Sequence, residues 1–396
     1  MRRKELKSKK GITLIALVVT IVVLLILAGI TIKLVFSENG IIKKAQDAAE
    51  AQKQAEESDK EALEGLGTQI DILTKWDTSK VTAVKSKDTT PVTVPVPKGF
   101  TVSGLSTENT VAGGFVIYEG TDAIDWTDSE KVKEAQKTRN QFVWVPVDLN
   151  KNPMFTTATD EDGNTITVGQ LYDFETSSSP KNPAEKRTYS STGYREPDVV
   201  KDYDANSTYL SIVGLSSSDE FKKQLQKEFN EMKISIETYG GFYIGRYETG
   251  NLEAIKDTAA KVVKGDTKIN NVNWYYMYQN SKSIVQNTEA KAAGIKSSMI
   301  WGSQWDATMN WFLSFKDTKP EVATYVTDST GKGNYSGTQG DTNKAIPTGT
   351  NDDYAVQNIY DMAGNVWDWT LEASYTGIRV LRRRRLRPFR FSWSIF

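Results

Sequence analysis

Four residues near the carboxyl end of the chain have types and a spacing suited to binding a hard cation. Asp361, Gly364, Val366 and Asp368 stand at positions i, i+3, i+5 and i+7. Calcium takes six to eight oxygen ligands, from carboxylates and backbone carbonyls on a kinked loop, and Gly364 permits such a kink. The same pattern is equally consistent with turn residues that only accept hydrogen bonds. A structural calcium site is therefore one of two open interpretations of this segment.

The residue types that are missing exclude most other chemistry. The chain of 396 residues has no histidine and no cysteine. Ser-His-Asp and Cys-His catalysis, ordinary zinc sites, haem, iron–sulfur clusters and disulfides are therefore excluded. No GxxxxGK[ST] or GxGxxG phosphate-binding sequence follows a predicted strand. We expect no catalytic residue, no organic cofactor and no enzyme activity.

The elements that would position a site are short strands and one clear helix. Residues 111–119 and 141–147 predict strands, and PVTVPVPKG predicts an extended edge or spacer. Residues 148–216 and 313–353 are polar and predict loops. Ser217 and Glu220 form a capping-box signal that precedes an amphipathic helix. Its apolar residues repeat at helical spacing and are predicted to be core: Phe221, Leu225, Phe229 and Met232.

Several segments together resemble one family. They are FVWVP at 142–146, GGFYIGRYET at 240–249, MIWGSQWDATMNW at 299–311, NIYDMAGNVWDWT at 358–370 and RVLR at 379–382. In this order they resemble the formylglycine-generating-enzyme (sulfatase-modifying factor) domain, whose fold is a variant of the C-type lectin fold. The resemblance covers roughly residues 140–382, and the GNVWDWT segment is its specific part.

This resemblance implies a calcium ligand set and also a departure from the family's chemistry. By the resemblance, Asp361 and Asp368 would supply side-chain ligands, and Gly364 and Val366 backbone carbonyls. Some members have Asn at the first position and Glu is common at the last, so this chain departs at both. The family's enzymes activate oxygen with cysteines near the carboxyl end, which this chain lacks. The strand residues Arg246 and Glu248 are predicted to form an ion pair rather than an acid–base pair.

The amino end predicts a membrane helix. Residues 12–32 carry no charge and, as a helix, would extend about 30 Å, the thickness of a bilayer's hydrocarbon core. The basic leader before them predicts a cytoplasmic N-terminus, with the bulk of the chain outside the cell membrane. A cleaved secretory signal is the competing interpretation.

The boundary of this run resembles a type IV prepilin leader. By that resemblance a prepilin peptidase cuts between Gly11 and Ile12, and Ile12 becomes a methylated N-terminus. The family usually has glutamate at the fifth mature position, where this chain has Ala16. The alternative is an ordinary membrane anchor with a coincidental glycine.

The net charge of −1 hides an uneven distribution. The first ten residues carry +5 and residues 382–396 carry +6, which leaves −12 for the body. An acidic body argues against general nucleic-acid binding. The Arg-rich tail stands where the resemblance requires glycines and a strand, which is consistent with a frameshift; a basic tail for anionic polymers is the alternative.

These observations predict an α+β fold, in which a long N-terminal transmembrane and stalk helix precedes a C-type-lectin-like (formylglycine-generating-enzyme-like) globular domain. The predicted domains are a leader (1–11), a transmembrane helix (12–33), a helical stalk (34–67), a linker with strands (68–139), the globular domain (140–382) and an aberrant tail (383–396). The predicted function is a membrane-anchored, pilin-like surface protein that presents a non-catalytic ligand-binding domain. The alternative is a minor pilin or pseudopilin in a filament or secretion apparatus. Membrane lipid, a prepilin peptidase and an extracellular protein or glycan are the expected partners. No ligand-binding residue is assigned beyond surface aromatics of 299–311 and 358–370.

Overall fold

The chain divides into two compact units, Met1–Asp71 and Ile72–Phe396. The computed structural model describes residues 17–24, 52–53, 56, 76–159, 163–176, 179–186, 206–250, 260–266, 273–327, 333–334, 346–365, 368–373, 379–382 and 393–395.

The described residues of the first unit are helical and include residues 17–24. No helix in the described part of the chain is both long enough and apolar enough to cross a membrane. The predicted transmembrane helix over 12–33, the long stalk helix, the prepilin-type membrane segment and the single-pass membrane location are therefore wrong. The predicted cleavage site between Gly11 and Ile12 lies outside the described residues.

The second unit is α+β. Its strands are β1 (Val81–Lys85), β2 (Thr93–Pro97), β3 (Phe100–Val102), β4 (Val116–Glu119), β5 (Gln141–Pro146), β6 (Phe155–Thr159), β7 (Thr165–Gly169), β8 (Tyr172–Thr176), β9 (Ser179–Lys186), β10 (Gly241–Gly245), β11 (Ser297–Met299), β12 (Ala355–Val356), β13 (Ile359–Tyr360), β14 (Asp368–Ala373), β15 (Arg379–Arg382) and β16 (Trp393–Ile395). Its helices are α1 (Ser129–Thr138), α2 (Ser207–Ile212), α3 (Ser218–Tyr239), α4 (Trp274–Ser281), α5 (Thr288–Ala292), α6 (Gly302–Leu313) and α7 (Pro320–Thr327), with a 3₁₀ turn at Asp352–Tyr354.

A six-stranded antiparallel sheet organises this unit, in the order β11-β16-β10-β5-β4-β3. Helix α3 packs against β10, and α6 packs against β5. Strand β16 comes from the segment predicted to be an aberrant tail and lies inside the sheet, between β10 and β11. Residues 383–392, which include most of the arginine run, lie outside the described residues.

Helix α3 forms where its sequence predicts. Ser217 caps it by accepting a hydrogen bond from the Glu220 amide, and the four predicted core residues are all buried. The helix ends at Gly240, whose left-handed conformation (φ 76°) is readily adopted by glycine. The chain then turns directly into β10, which pairs with β5.

Close packing also requires glycine at the next position, residue 241. A Cβ at Gly241 would lie 2.6 Å from Cζ2 of Trp144 on the neighbouring strand. Gly241 therefore lets the Trp144 ring lie flat across the start of β10.

Residues 355–365, which lead into GNVWDWT, contain a series of tight turns. Gln357 and Asn358 both have positive φ and join β12 to β13 as a two-residue hairpin loop. Asp361 and Gly364 have positive φ in the following turn. The RVLR segment is strand β15, antiparallel to β14, as its sequence predicts.

Candidate functional site

The predicted calcium residues do not come together as a described metal site. Asp361 is buried (1% exposed), and its Oδ2 accepts hydrogen bonds from Thr348 Oγ1 (2.7 Å) and the Gly349 amide (3.1 Å). Gly364 has φ 88°, Asp368 is buried at the start of β14, and Val366 lies outside the described residues. Within the described part of the chain, no group of three or more acidic side chains is placed to hold a metal.

Asp361 instead behaves as an internal hydrogen-bond acceptor. Burial raises the pKa of its carboxyl to about 6, although the bonds from Thr348 and Gly349 act to lower it. Because these donors occupy one carboxylate oxygen, the described atoms do not fit a calcium site by themselves. Calcium binding stays a prediction, and nothing below depends on it.

The predicted ion pair between Arg246 and Glu248 is wrong, because Arg246 pairs with Glu108 instead. Nη1 of Arg246 lies 2.7 Å from Oε1 of Glu108, and both side chains are buried. The same guanidinium nitrogen donates to the Tyr118 hydroxyl (3.2 Å) and to Gln141 Oε1 (3.1 Å). Glu248 Oε2 accepts a hydrogen bond from Asn365 Nδ2.

Arg246 keeps its charge in this buried position. Burial lowers the pKa of Arg246, but Tyr247 and Glu108 raise it more, and the net shift is upward. Tyr118 and Ser103 donate further hydrogen bonds to Glu108 Oε2. The arrangement is an interior ion pair in which Nη1 of Arg246 and both oxygens of Glu108 are bonded to protein, whereas Nε of Arg246 has no partner. It links separate elements of the interior rather than facing a substrate.

An open cleft of about 420 Å³ lies beside the central strands. We call it the aromatic slot. Its walls are aromatic and apolar, with charged residues among the lining: Val81, Pro95, Pro97, Trp144, Ile234, Tyr239, Phe242, Tyr243 and Ile295, with Asp77, Lys80, Glu231 and Lys296. The volume falls in the range of about 300–1,000 Å³ that is typical of small-ligand sites.

The sequence builds the slot from four elements, β2, β5, α3 and β10. Trp144 on β5 and Tyr243 on β10 are register partners, with ring centroids 5.1 Å apart. Ile234, Ser235 and neighbouring residues of α3 form one wall, and the prolines of β2 form another. Proline is tolerated on β2 because this strand pairs on one side only, with β1.

One polar group in the slot has no partner. Tyr243 is 3% exposed, and its hydroxyl makes no hydrogen bond in the structure. Burial alone raises the pKa of this phenol well above its usual value, so the hydroxyl keeps its proton at neutral pH. A buried, unsatisfied hydroxyl costs about 1–3 kcal/mol.

Sequence reasoning missed this site and placed the candidates elsewhere. Trp301, Trp305 and Trp311 of the 299–311 segment are buried in or beside α6, and Tyr360 of the 358–370 segment is also buried. These four are therefore not surface aromatics, whereas Trp369 is half-buried and Trp367 lies outside the described residues. Trp144 and Tyr243 stand inside the quoted FVWVP and GGFYIGRYET motifs, but only the strand register shows that their rings meet.

Comparisons with known proteins add no assignment. No protein-family model matches this chain, and no curated protein is significantly similar to it in sequence.

Proposed function

We propose that this chain is a non-catalytic binding protein, and that its formylglycine-generating-enzyme-like, C-type-lectin-type domain holds a ligand in the aromatic slot. The observation that carries this proposal is the open, mostly apolar cleft, which Trp144 and Tyr243 line with paired rings. Two of the segments that carry the family resemblance supply the floor of that cleft, through Trp144 and Tyr243.

The chemistry of the slot favours a ligand with flat apolar faces and hydroxyl groups. Tryptophan and tyrosine rings offer apolar surface together with a polar edge. Sugar rings carry C–H faces that lie against such rings, and their hydroxyls form hydrogen bonds with charged side chains such as those of Asp77, Lys80 and Glu231 in the lining. We therefore propose a carbohydrate unit as the ligand.

Binding without catalysis is supported by where the acids lie. Glu108, Asp361 and Glu248 are buried and bonded to protein groups, away from the slot. The acids that line the slot are Asp77 and Glu231, each in an exposed or half-buried ion pair with a lysine. With no histidine or cysteine in the chain, these groups suit recognition better than proton transfer.

The test uses the full chain and a panel of short neutral oligosaccharides, screened by saturation-transfer NMR and quantified by calorimetry. Ser235→Trp fills the slot from α3 and should abolish binding, whereas Asn230→Trp, exposed on the same helix and outside the slot, should not. Binding that survives Ser235→Trp, or a panel in which nothing binds, contradicts the proposal.

A further inference from the structure

A second open cleft, of about 550 Å³, lies on the other side of the Lys296–Glu231 ion pair from the aromatic slot. We call it the lysine cleft. It is formed by α3, the region around α4 and α5, and β11. Five lysines line it: Lys223, Lys227, Lys282, Lys291 and Lys296.

The lining carries an excess of positive charge. Five lysines face two glutamates, which leaves +3 in one cleft of a chain whose net charge is −1. Lys282 Nζ lies 2.7 Å from Glu228 Oε1, and Lys296 Nζ lies 2.8 Å from Glu231 Oε2. These two pairs use both carboxylates. The remaining ammonium groups have only distant or neutral partners; Lys227 lies 3.9 Å from Glu231, and Lys291 bonds to Gln286 Oε1.

Lys282 places a partly desolvated ammonium group in the cleft. Its side chain is mostly buried, and its ammonium also contacts the Tyr278 hydroxyl at 2.7 Å. Burial lowers the pKa of this lysine, and Glu228 offsets only part of that shift. An anion in the cleft would stabilise the charged form.

The floor of the cleft adds a directional donor. Ser297 on β11 is buried, and its Oγ accepts a hydrogen bond from the Val285 amide (3.3 Å). Its own hydroxyl hydrogen is therefore available to donate. Lysine ammoniums are compact charges with rotatable donors, and they suit tetrahedral oxyanions without demanding one orientation.

We propose that the lysine cleft binds a compact anion that carries two or more phosphate or sulfate groups. The positive excess matches about three negative charges, and the cleft volume suits a small molecule. This site is separate from the aromatic slot and does not depend on the function proposed for it.

The experiment titrates sodium tripolyphosphate into the full chain by calorimetry, in parallel with a heparin disaccharide, so that a phosphate chain is distinguished from a sulfated sugar. The test variant is Lys223→Gln/Lys291→Gln, which removes two charges from the cleft and leaves both ion pairs intact. The matched control is Lys85→Gln/Lys137→Gln, which removes two exposed lysines that do not line the cleft.

We expect the cleft variant to bind at least one of the two anions about tenfold more weakly, and the control to change the affinity less than about twofold. Raising the salt from about 10 mM to about 150 mM should weaken wild-type binding, because the lysines are partly exposed. Ser235→Trp should leave anion binding unchanged, which separates this result from the test of the aromatic slot. Absence of binding at low salt, or equal weakening by the two double variants, overturns the proposal.

Discussion

Asp361 holds a carboxylate in a place that water does not reach. The group is fixed by its left-handed backbone (φ 61°) and by the two donors on Oδ2. Sequence spacing identified the residue as unusual, but it could not tell a cation ligand from an internal acceptor. The distinction depends on Thr348 and Gly349, which only the fold brings to it.

The raised pKa of Asp361 makes stability depend on pH in a defined direction. In EDTA, the folded state holds the proton up to about pH 6, while the unfolded chain releases it near the ordinary carboxyl pKa of 3.8. The free energy of unfolding should therefore fall as the pH rises from about 4 to about 6, and level off above. Asp361→Asn should remove this slope and stabilise the protein at pH 7.5 by roughly 1–3 kcal/mol.

Urea denaturation at several pH values measures this effect. Asp353→Asn, at an exposed position in the same region, is the control and should leave the slope in place. A destabilised Asp361→Asn protein at pH 7.5 would contradict the prediction. In calcium instead of EDTA, a rise in melting temperature that is specific to wild type would support the predicted metal site.

Among the elements, α3 shows what sequence alone can determine. The apolar spacing from Phe221 to Met232 and the Ser217 cap predict the helix, and the structure confirms both. The two segments predicted to be loops were predicted less accurately than this helix. Residues 148–216 contain the hairpins β6–β7 and β8–β9, and residues 313–353 contain α7. The polar sequences of these segments have little periodicity and therefore gave no signal for strands or a helix. These elements depend on tertiary contacts more than on an apolar face of their own.

Two isoleucines of α3 give a matched test of its packing. Ile236 is fully buried, whereas Ile234 is 61% exposed two residues earlier on the same helix. Ile236→Ala should destabilise the protein by about 2–5 kcal/mol through lost burial and a residual cavity. Ile234→Ala should stay within about 0.5 kcal/mol of wild type.

Thermal and urea unfolding compare the two variants. Equal losses would mean that α3 packs against the sheet on a different face from the one described here. Because Ile234 lines the aromatic slot, its variant also shows whether ligand binding changes without a change in stability.

At the scale of the whole molecule, contacts between segments far apart in the sequence hold the turns and clefts in place. Asn358 Nδ2 lies within hydrogen-bond distance of the carbonyls of Thr107 (2.8 Å) and Gly114 (2.8 Å), about 250 residues earlier in the chain. The aromatic slot likewise joins β2, β5, α3 and β10. No local pattern predicts such pairings, which explains why the family resemblance indicated strands and turns but not the clefts.

Substitutions at Asn358 separate the contribution of its side-chain hydrogen bonds from that of its left-handed backbone. Asn358→Gly keeps the left-handed conformation (φ 62°) and removes the side-chain hydrogen bonds, so it should destabilise the protein by about 1–3 kcal/mol. Asn358→Ala removes the bonds and also strains the backbone, which should add about 1 kcal/mol. Urea denaturation measures both, and an alanine variant as stable as the glycine variant would contradict this order.

Strand β16 has a consequence for synthesis on the ribosome. One edge of β10 stays unpaired until β16, about 150 residues later in the chain, has been synthesised. At about 5–20 residues per second, that delay lasts roughly 7–30 s. During this interval the nascent chain presents an unpaired edge that can join a neighbouring polypeptide on the same polysome. Chaperone occupancy should therefore be highest while residues 245–393 are being translated.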